Sequence, residues 1–139
     1  MRPVILTRSE RRRLRDRALR AQTREQREVA GVLLADQAHR VHLHFMRNMS
    51  TRLGHFELDR AEYKEVGAAA LSSGKRVLGT FHSHPIGYAV PGPSDLRRAK
   101  LNSLMLVYDV CGRQEALWQI VKSGRSRKAR PIKLTIERP

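Results

Sequence analysis

Six short apolar runs, each bounded by turn-forming residues, constrain the fold of this chain more than any other feature. They are Val29–Leu34, Arg40–Phe45, Lys75–His84, Leu104–Tyr108, Ala116–Val121 and Ile132–Ile136. Runs of this length, rich in β-branched and aromatic residues, read as strands rather than helices. Three stretches between them have helical character. Residues 8–27 form an arginine-rich helix, with Leu14, Ala18 and Ala21 at helical spacing and Ser9 as its expected cap. That apolar stripe is narrow, which places the helix on the surface of the domain. Asp59 and Glu62 resemble a capping box ahead of Tyr63, Val66 and Ala70, and Gly74 ends this second helix. Ser94-Asp95 opens a short third helix that runs through Lys100. Residues 85–93, rich in Pro and Gly, form a loop, as do Asn48–Gly54, and Asp36–Ala38 and Cys111–Arg113 are turns. Strands interleaved with helices, without repeats or a long linker, predict a mixed sheet flanked by helices, in the α+β or α/β class.

The 139 residues amount to one domain, and a 40% hydrophobic content suffices for a core of its own. The single cysteine, Cys111, cannot form an internal disulfide, which points to a reducing compartment. No apolar run approaches the roughly 20 residues of a membrane-spanning helix. The N-terminus also lacks the pattern of a secretory signal, so a cytoplasmic location is expected. The formal net charge is +15. Much of it lies in two segments, Arg8 to Arg27 and Lys122 to Arg130. Such a field either attracts an acidic partner, whether nucleic acid, protein or anionic lipid, or is simply a solvated face. Few aromatic residues accompany the cations, so they form no stacking platform for single-stranded nucleic acid.

His82 and His84 end a predicted strand, where alternation points both side chains the same way. Two imidazoles at that spacing can share a metal ion, and Asp95 is the nearest downstream carboxylate, after a stiff Pro/Gly loop. On this spacing alone, ligands and packed histidines both remain open. A second pair, His42 and His44, has no carboxylate at the matching distance, where His55 stands, and reads as a polar strand face. Glu28, taken by itself, reads as a surface partner of Arg24 at helical spacing. Trp118 belongs to the core. Cys111 has no candidate activating group nearby.

Taken together, these elements resemble a known family. His82-Ser83-His84-Pro85, with Asp95 following His84 by eleven residues, is similar to the JAMM motif of the JAB1/MPN/Mov34 (MPN+) zinc metallopeptidases. Upstream, Glu28-Val29-Ala30-Gly31-Val32-Leu33-Leu34 resembles the opening of that family's first strand. Arg47-Asn48, Phe56 to Asp59 and Trp118 are weaker echoes, and the resemblance covers residues 28–121, as in small prokaryotic-type members. It implies a cytidine-deaminase-like MPN fold, an α/β-sandwich-like arrangement with a curved mixed sheet. The chain then divides into the basic N-terminal helix segment, residues 1–27, and the metallopeptidase domain that the resemblance implies, residues 28–139. One zinc ion per chain would be held by His82, His84 and Asp95, with Glu28 shuttling the proton as zinc-activated water attacks an amide. The substrate class implied is a peptide or isopeptide bond after the C-terminal tail of a ubiquitin-like protein. The absence of long insertions favours a small ubiquitin-like protein over a ubiquitin chain. The two basic segments would then steer an acidic partner.

One position departs from the motif. The family's serine, which helps stabilise the oxyanion, falls on Gly92. Loss of one such donor typically costs about a hundred- to a thousandfold in rate. Ser94 and Tyr88, from the same loop, are the residues able to replace it. Two other functions therefore stand beside the hydrolase. One is a non-catalytic MPN-type interaction module, which Gly92 favours and the retained ligand set opposes. The other is a basic nucleic-acid-binding protein using the two cationic segments.

Overall fold

A computed structural model of the chain describes residues 2–24, 27–52, 55–85 and 88–138. The elements in order are β1 (Val4–Leu6), α1 (Arg8–Arg24), β2 (Ala30–Ala35), β3 (Val41–Met46), α2 (Arg60–Ser72), β4 (Arg76–His84), α3 (Pro93–Arg98), β5 (Leu104–Asp109), β6 (Gln114–Ser123), β7 (Ser126–Ile132) and β8 (Leu134–Ile136). Six strands form one mixed sheet in the order β3-β2-β4-β5-β6-β7. Only β4 and β5 run parallel there, joined by the crossover that contains α3. The fold is α+β, as the alternation of strand-like and helix-like segments predicts.

The sheet has two covered faces. On one, α1 buries Leu14 and Ala18 against Leu33, Leu43, Phe81, Leu106 and Leu117. On the other, α2 packs over Val32, Leu34 and Met46, while Leu96 of α3 and Trp118 pack around Met105, Val107 and Ile120. The site described below sits between α2 and α3, at the C-terminal end of β4. Gly79 allows β4 to reach it in register. A Cβ there would fall 1.8 Å from the Leu104 carbonyl oxygen, so any side chain would push β4 off β5.

Several boundaries differ from the sequence expectation. The first helix ends at Arg24; residues 25 and 26, residues 53 and 54 of the Asn48–Gly54 loop and residues 86 and 87 of the 85–93 loop lie outside the described residues. Its cap is Thr7, whose hydroxyl accepts from the Glu10 amide at 3.3 Å, because the helix begins one residue before the expected Ser9 cap. Asp59 caps α2 by accepting from the Ala61 amide. Two strands were not expected. β1 pairs in parallel with β8 across almost the whole chain, and the basic run after Lys122 is the hairpin strand β7. The predicted strand over residues 132–136 accordingly divides: Ile132 ends β7 and Leu134 starts β8. Among the described residues, no helix is long and apolar enough to cross a membrane.

Candidate metal centre

The antiparallel pairing of β2 with β4 sets Ala30 opposite His82, which brings Glu28, just before β2, to the end of β4. Two contacts fix that junction. The Val29 amide donates to Ser83 Oγ at 3.0 Å while the Ser83 amide donates to the Val29 carbonyl at 3.0 Å. Asn48 Nδ2 donates to the Glu28 carbonyl at 3.2 Å. Glu28 is therefore buried, only 3% exposed, and not a surface residue.

His82 and His84 converge. Their Nε2 atoms lie 3.0 Å apart, and Asp95 Oδ2 is 3.1 Å from the first and 3.4 Å from the second. Asp95 reaches them from the first turn of α3, where Pro93 suits the opening position of a helix. The same Asp95 oxygen accepts from the Gly92 amide at 2.8 Å, which ties the helix start to the site. Glu28 Oε1 lies 3.7 Å from His84 Nε2. His84 Nδ1 is 3.0 Å from the Tyr88 carbonyl, an acceptor that places a proton on Nδ1, and Nε2 is the ring nitrogen that faces Asp95 and Glu28.

Glu28, His82 and His84 each offer a ligand atom, and these atoms all lie within 4.8 Å of one another, so the group could hold a metal ion. Asp95 Oδ2 lies within 3.4 Å of both histidine Nε2 atoms but is not part of that group of three. One further observation fits a cation here. Both Glu28 carboxylate oxygens are buried with no hydrogen-bond partner among the described residues. A buried acceptor left in that state is costly unless a cation or a donor faces it.

The electrostatics are uneven across the cluster. Burial pushes the Glu28 pKa up to about 7, with the His84 charge opposing and the Asp95 charge adding. Burial also disfavours the charged form of Asp95, but hydrogen bonds from His82 and His84 outweigh it and hold that carboxyl far below its usual range. His82, with no exposed surface, is depressed by burial despite Asp95. His84 is raised, because Asp95, the Tyr88 carbonyl and Glu28 together exceed its burial cost. One carboxyl is thus held ionised by its histidine neighbours, while burial favours the protonated form of the other.

Of the other residues singled out in the sequence, Ser94 Oγ lies 3.2 Å from His55 Nδ1, at the rim of the site. Gly92 caps α3 with φ −81°. Tyr88 contributes its carbonyl, while its side chain is exposed. His42 pairs with Asp36 at 2.8 Å and His44 is exposed, both away from the cluster. Trp118 donates from Nε1 to the Ala89 carbonyl at 2.8 Å, anchoring the loop that precedes α3.

Sequence reasoning missed the roof of the site. The Phe56 ring stacks on His82, with centroids 4.4 Å apart and an interplanar angle of 22°. Asn48 holds that roof in place. Besides Glu28, its Nδ2 donates to the His55 carbonyl at 3.1 Å, and its Oδ1 accepts from the Ser50 and Glu57 amides. Asn48 and Phe56 entered the sequence reading only as weak echoes of the family pattern.

The family described as prokaryotic homologs of the JAB domain matches residues 8–121, and the chain belongs to that family. Solved structures place it within the JAB1/MPN fold. A JAB1/MPN domain protein from Archaeoglobus fulgidus superposes with a TM-score of 0.57 at 17% identity, covering 99% of this chain and 100% of that one. A protein from Desulfitobacterium hafniense reaches a TM-score of 0.76 at 18% identity, covering 98% and 94%. One from Salinibacter ruber reaches 0.65 at 22% identity, covering 98% and 93%. No curated protein matches the chain.

Proposed function

We propose that the chain is a zinc-dependent hydrolase that cleaves a peptide or isopeptide bond after the C-terminal tail of a ubiquitin-like protein. The observation that carries the reading is the triangle of His82 Nε2, His84 Nε2 and Asp95 Oδ2, with sides of 3.0, 3.1 and 3.4 Å. Ligands about 2.0–2.1 Å from a tetrahedral zinc stand about 3.3 Å from one another. The triangle therefore has the size of one face of a zinc tetrahedron. Glu28, also within reach of both histidines, is assigned to proton transfer instead. Its oxygen is 3.7 Å from His84 and its pKa lies near 7, whereas Asp95 stays ionised.

A bound zinc ion supplies Lewis acidity and lowers the pKa of water toward neutrality. The chain's own residues do the rest. Glu28 accepts a proton from the attacking water and returns it to the leaving amine. The Asn48 and Ser83 hydrogen bonds hold Glu28 just before the start of β2, and Phe56 covers the face of His82 and excludes water there. Ser94, with His55 as its partner, is the hydroxyl at the rim able to serve where Gly92 has none. An extended substrate tail would bind by backbone pairing along exposed strand.

Gly92 is the one observation favouring a non-catalytic interaction module instead. The test is cleavage of small ubiquitin-like fusions by the zinc-loaded chain. The reading expects cleavage by the wild type and none by Glu28→Gln with zinc retained. Equal cleavage by both would remove Glu28 from the mechanism.

A further inference from the structure

The two basic segments are not equivalent once folded. In α1, Arg11 and Arg15 both bind the buried Glu115 carboxylate, at 2.9 and 2.8 Å, and Arg13 pairs with Glu10. The Arg13 and Arg17 guanidiniums lie over the Phe45 ring, and Arg15 lies over Tyr108. Much of that helix's charge is thus part of how it packs. The β6–β7 hairpin differs. Residues 116–136 contain Lys122, Arg125, Arg127, Lys128, Arg130 and Lys133 and no acidic residue. Among the described residues, none of these six makes an ion pair with a carboxylate, and all six are exposed.

The hairpin also continues into α3. Arg127 donates to the Arg97 carbonyl at 2.8 Å. The turn after α3 is stitched to β6 through the Asn102 amide to the Ile120 carbonyl and the Ile120 amide to the Ser103 carbonyl. Lys122 and Arg127 are register partners, and residues 96–108, like 116–136, contain no acidic residue, so Arg97, Lys100, Lys122, Arg125 and Arg127 form one cationic corner. It lies on the same face of the sheet as α3, whose first turn supplies Asp95. Along β6, Ala116 is level with Val107 and through it with His82. Lys122 is six residues further on, about 20 Å at the usual rise of a strand.

We propose that this corner docks the acidic body of a protein substrate whose extended tail, about six residues long at the strand rise, reaches the metal centre. This deepens the hydrolase reading and rests on it for the role of the tail; the docking surface itself stands on charge complementarity. The α1 arginines are, in this account, mainly structural.

Two variants that remove the same charge separate a local dock from a general field. Lys100→Gln with Lys122→Gln and Arg125→Gln removes three charges from the corner. Arg8→Gln with Arg12→Gln and Arg20→Gln removes three from exposed positions of α1. Both lower the formal charge from +15 to +12. The probes are a fluorescent peptide of ten glutamates and a 20-base-pair DNA duplex, titrated at 50 and 300 mM salt. The corner variant is expected to lose about tenfold in affinity for the peptide at low salt, and the helix variant less than threefold. Equal losses, a larger loss in the helix variant, or no peptide binding by the wild type would overturn the proposal. So would DNA bound more tightly than the peptide through the same corner, which would make the partner a nucleic acid. Zinc content is measured on each variant. If the corner fails with zinc intact, the hydrolase reading survives, and loss of the metal site would leave the docking result standing.

Discussion

Glu28→Gln in the metal-free protein tests the environment of the proposed proton acceptor without any substrate. The Glu28 pKa is raised from 4.5 to about 7, chiefly by burial. A raised folded-state pKa means that the native protein binds a proton more tightly than the unfolded chain does. The stability associated with that proton is fully present below pH 4.5, is lost as pH rises toward 7, and is gone above it. A shift of about 2.5 units corresponds to about 3 kcal/mol over the full window. Glutamine carries no charge at any pH and has no such window. His82 and His84 titrate in both proteins, so subtracting the two stability curves isolates Glu28 and its coupling to His84. Urea unfolding in the presence of a chelator at pH 5 and pH 8 is the assay. The variant should gain on the wild type by about 2 kcal/mol between those two values. A difference that does not change with pH would mean that Glu28 ionises as an ordinary carboxylate, and the case for it as a poised proton acceptor would fall.

Three other outcomes are expected. Leu14→Ala, at a fully buried position of α1, should destabilise the chain by about 2–5 kcal/mol in chemical unfolding; a loss below 1 kcal/mol would mean α1 is not part of the core. Asn48→Ala removes four hydrogen bonds beneath the site and should cost about 2 kcal/mol or more, with weaker zinc binding in competition against a chelator; unchanged stability and zinc affinity would refute its role as the clamp of Glu28 and the Phe56 roof. Gly92→Ser should fold normally, since a Cβ there meets only Asp95 Oδ2 at 3.6 Å, and should not slow cleavage of a ubiquitin-like fusion; a large loss would mean the loop needs glycine for its backbone shape.

How much of this was legible in the sequence follows from what each element depends on. β2 and β5 were readable because they are buried along their whole length, and β3, β4 and β6 because each buries part of an apolar run; burial is what hydropathy patterns report. β1 was not, because three residues carry no periodicity and their partner, β8, lies at the other end of the chain. β7 was masked by its own exposure. As an edge strand with arginine and lysine along it and Pro131 within it, it resembles a charged tail more than a sheet element, although such residues are those that suit an exposed edge. The surface placement expected for α1 from its narrow stripe missed how its arginine guanidiniums lie over Phe45 and Tyr108 while Leu14 and Ala18 are fully buried. At the site, the spacing of His82, His84 and Asp95 is set by one strand end and one short loop, so it could be read locally. Glu28 could be placed only by family resemblance, because the β2–β4 register that brings it there is a long-range pairing. Asn48, His55 and Phe56 act through the path of a loop, and nothing in residue type or spacing specifies that path.

The most direct test of the central claim is the zinc content of the purified chain by elemental analysis, wild type beside Asp95→Ala, after both have been supplied with the metal. The account predicts about one zinc per wild-type chain, as for a single site with three protein ligands, and a clear loss in the variant. Full zinc in Asp95→Ala would move the third ligand to Glu28 and take away the proton acceptor. No zinc in either protein would contradict the metal centre and leave a JAB-family fold without the proposed chemistry.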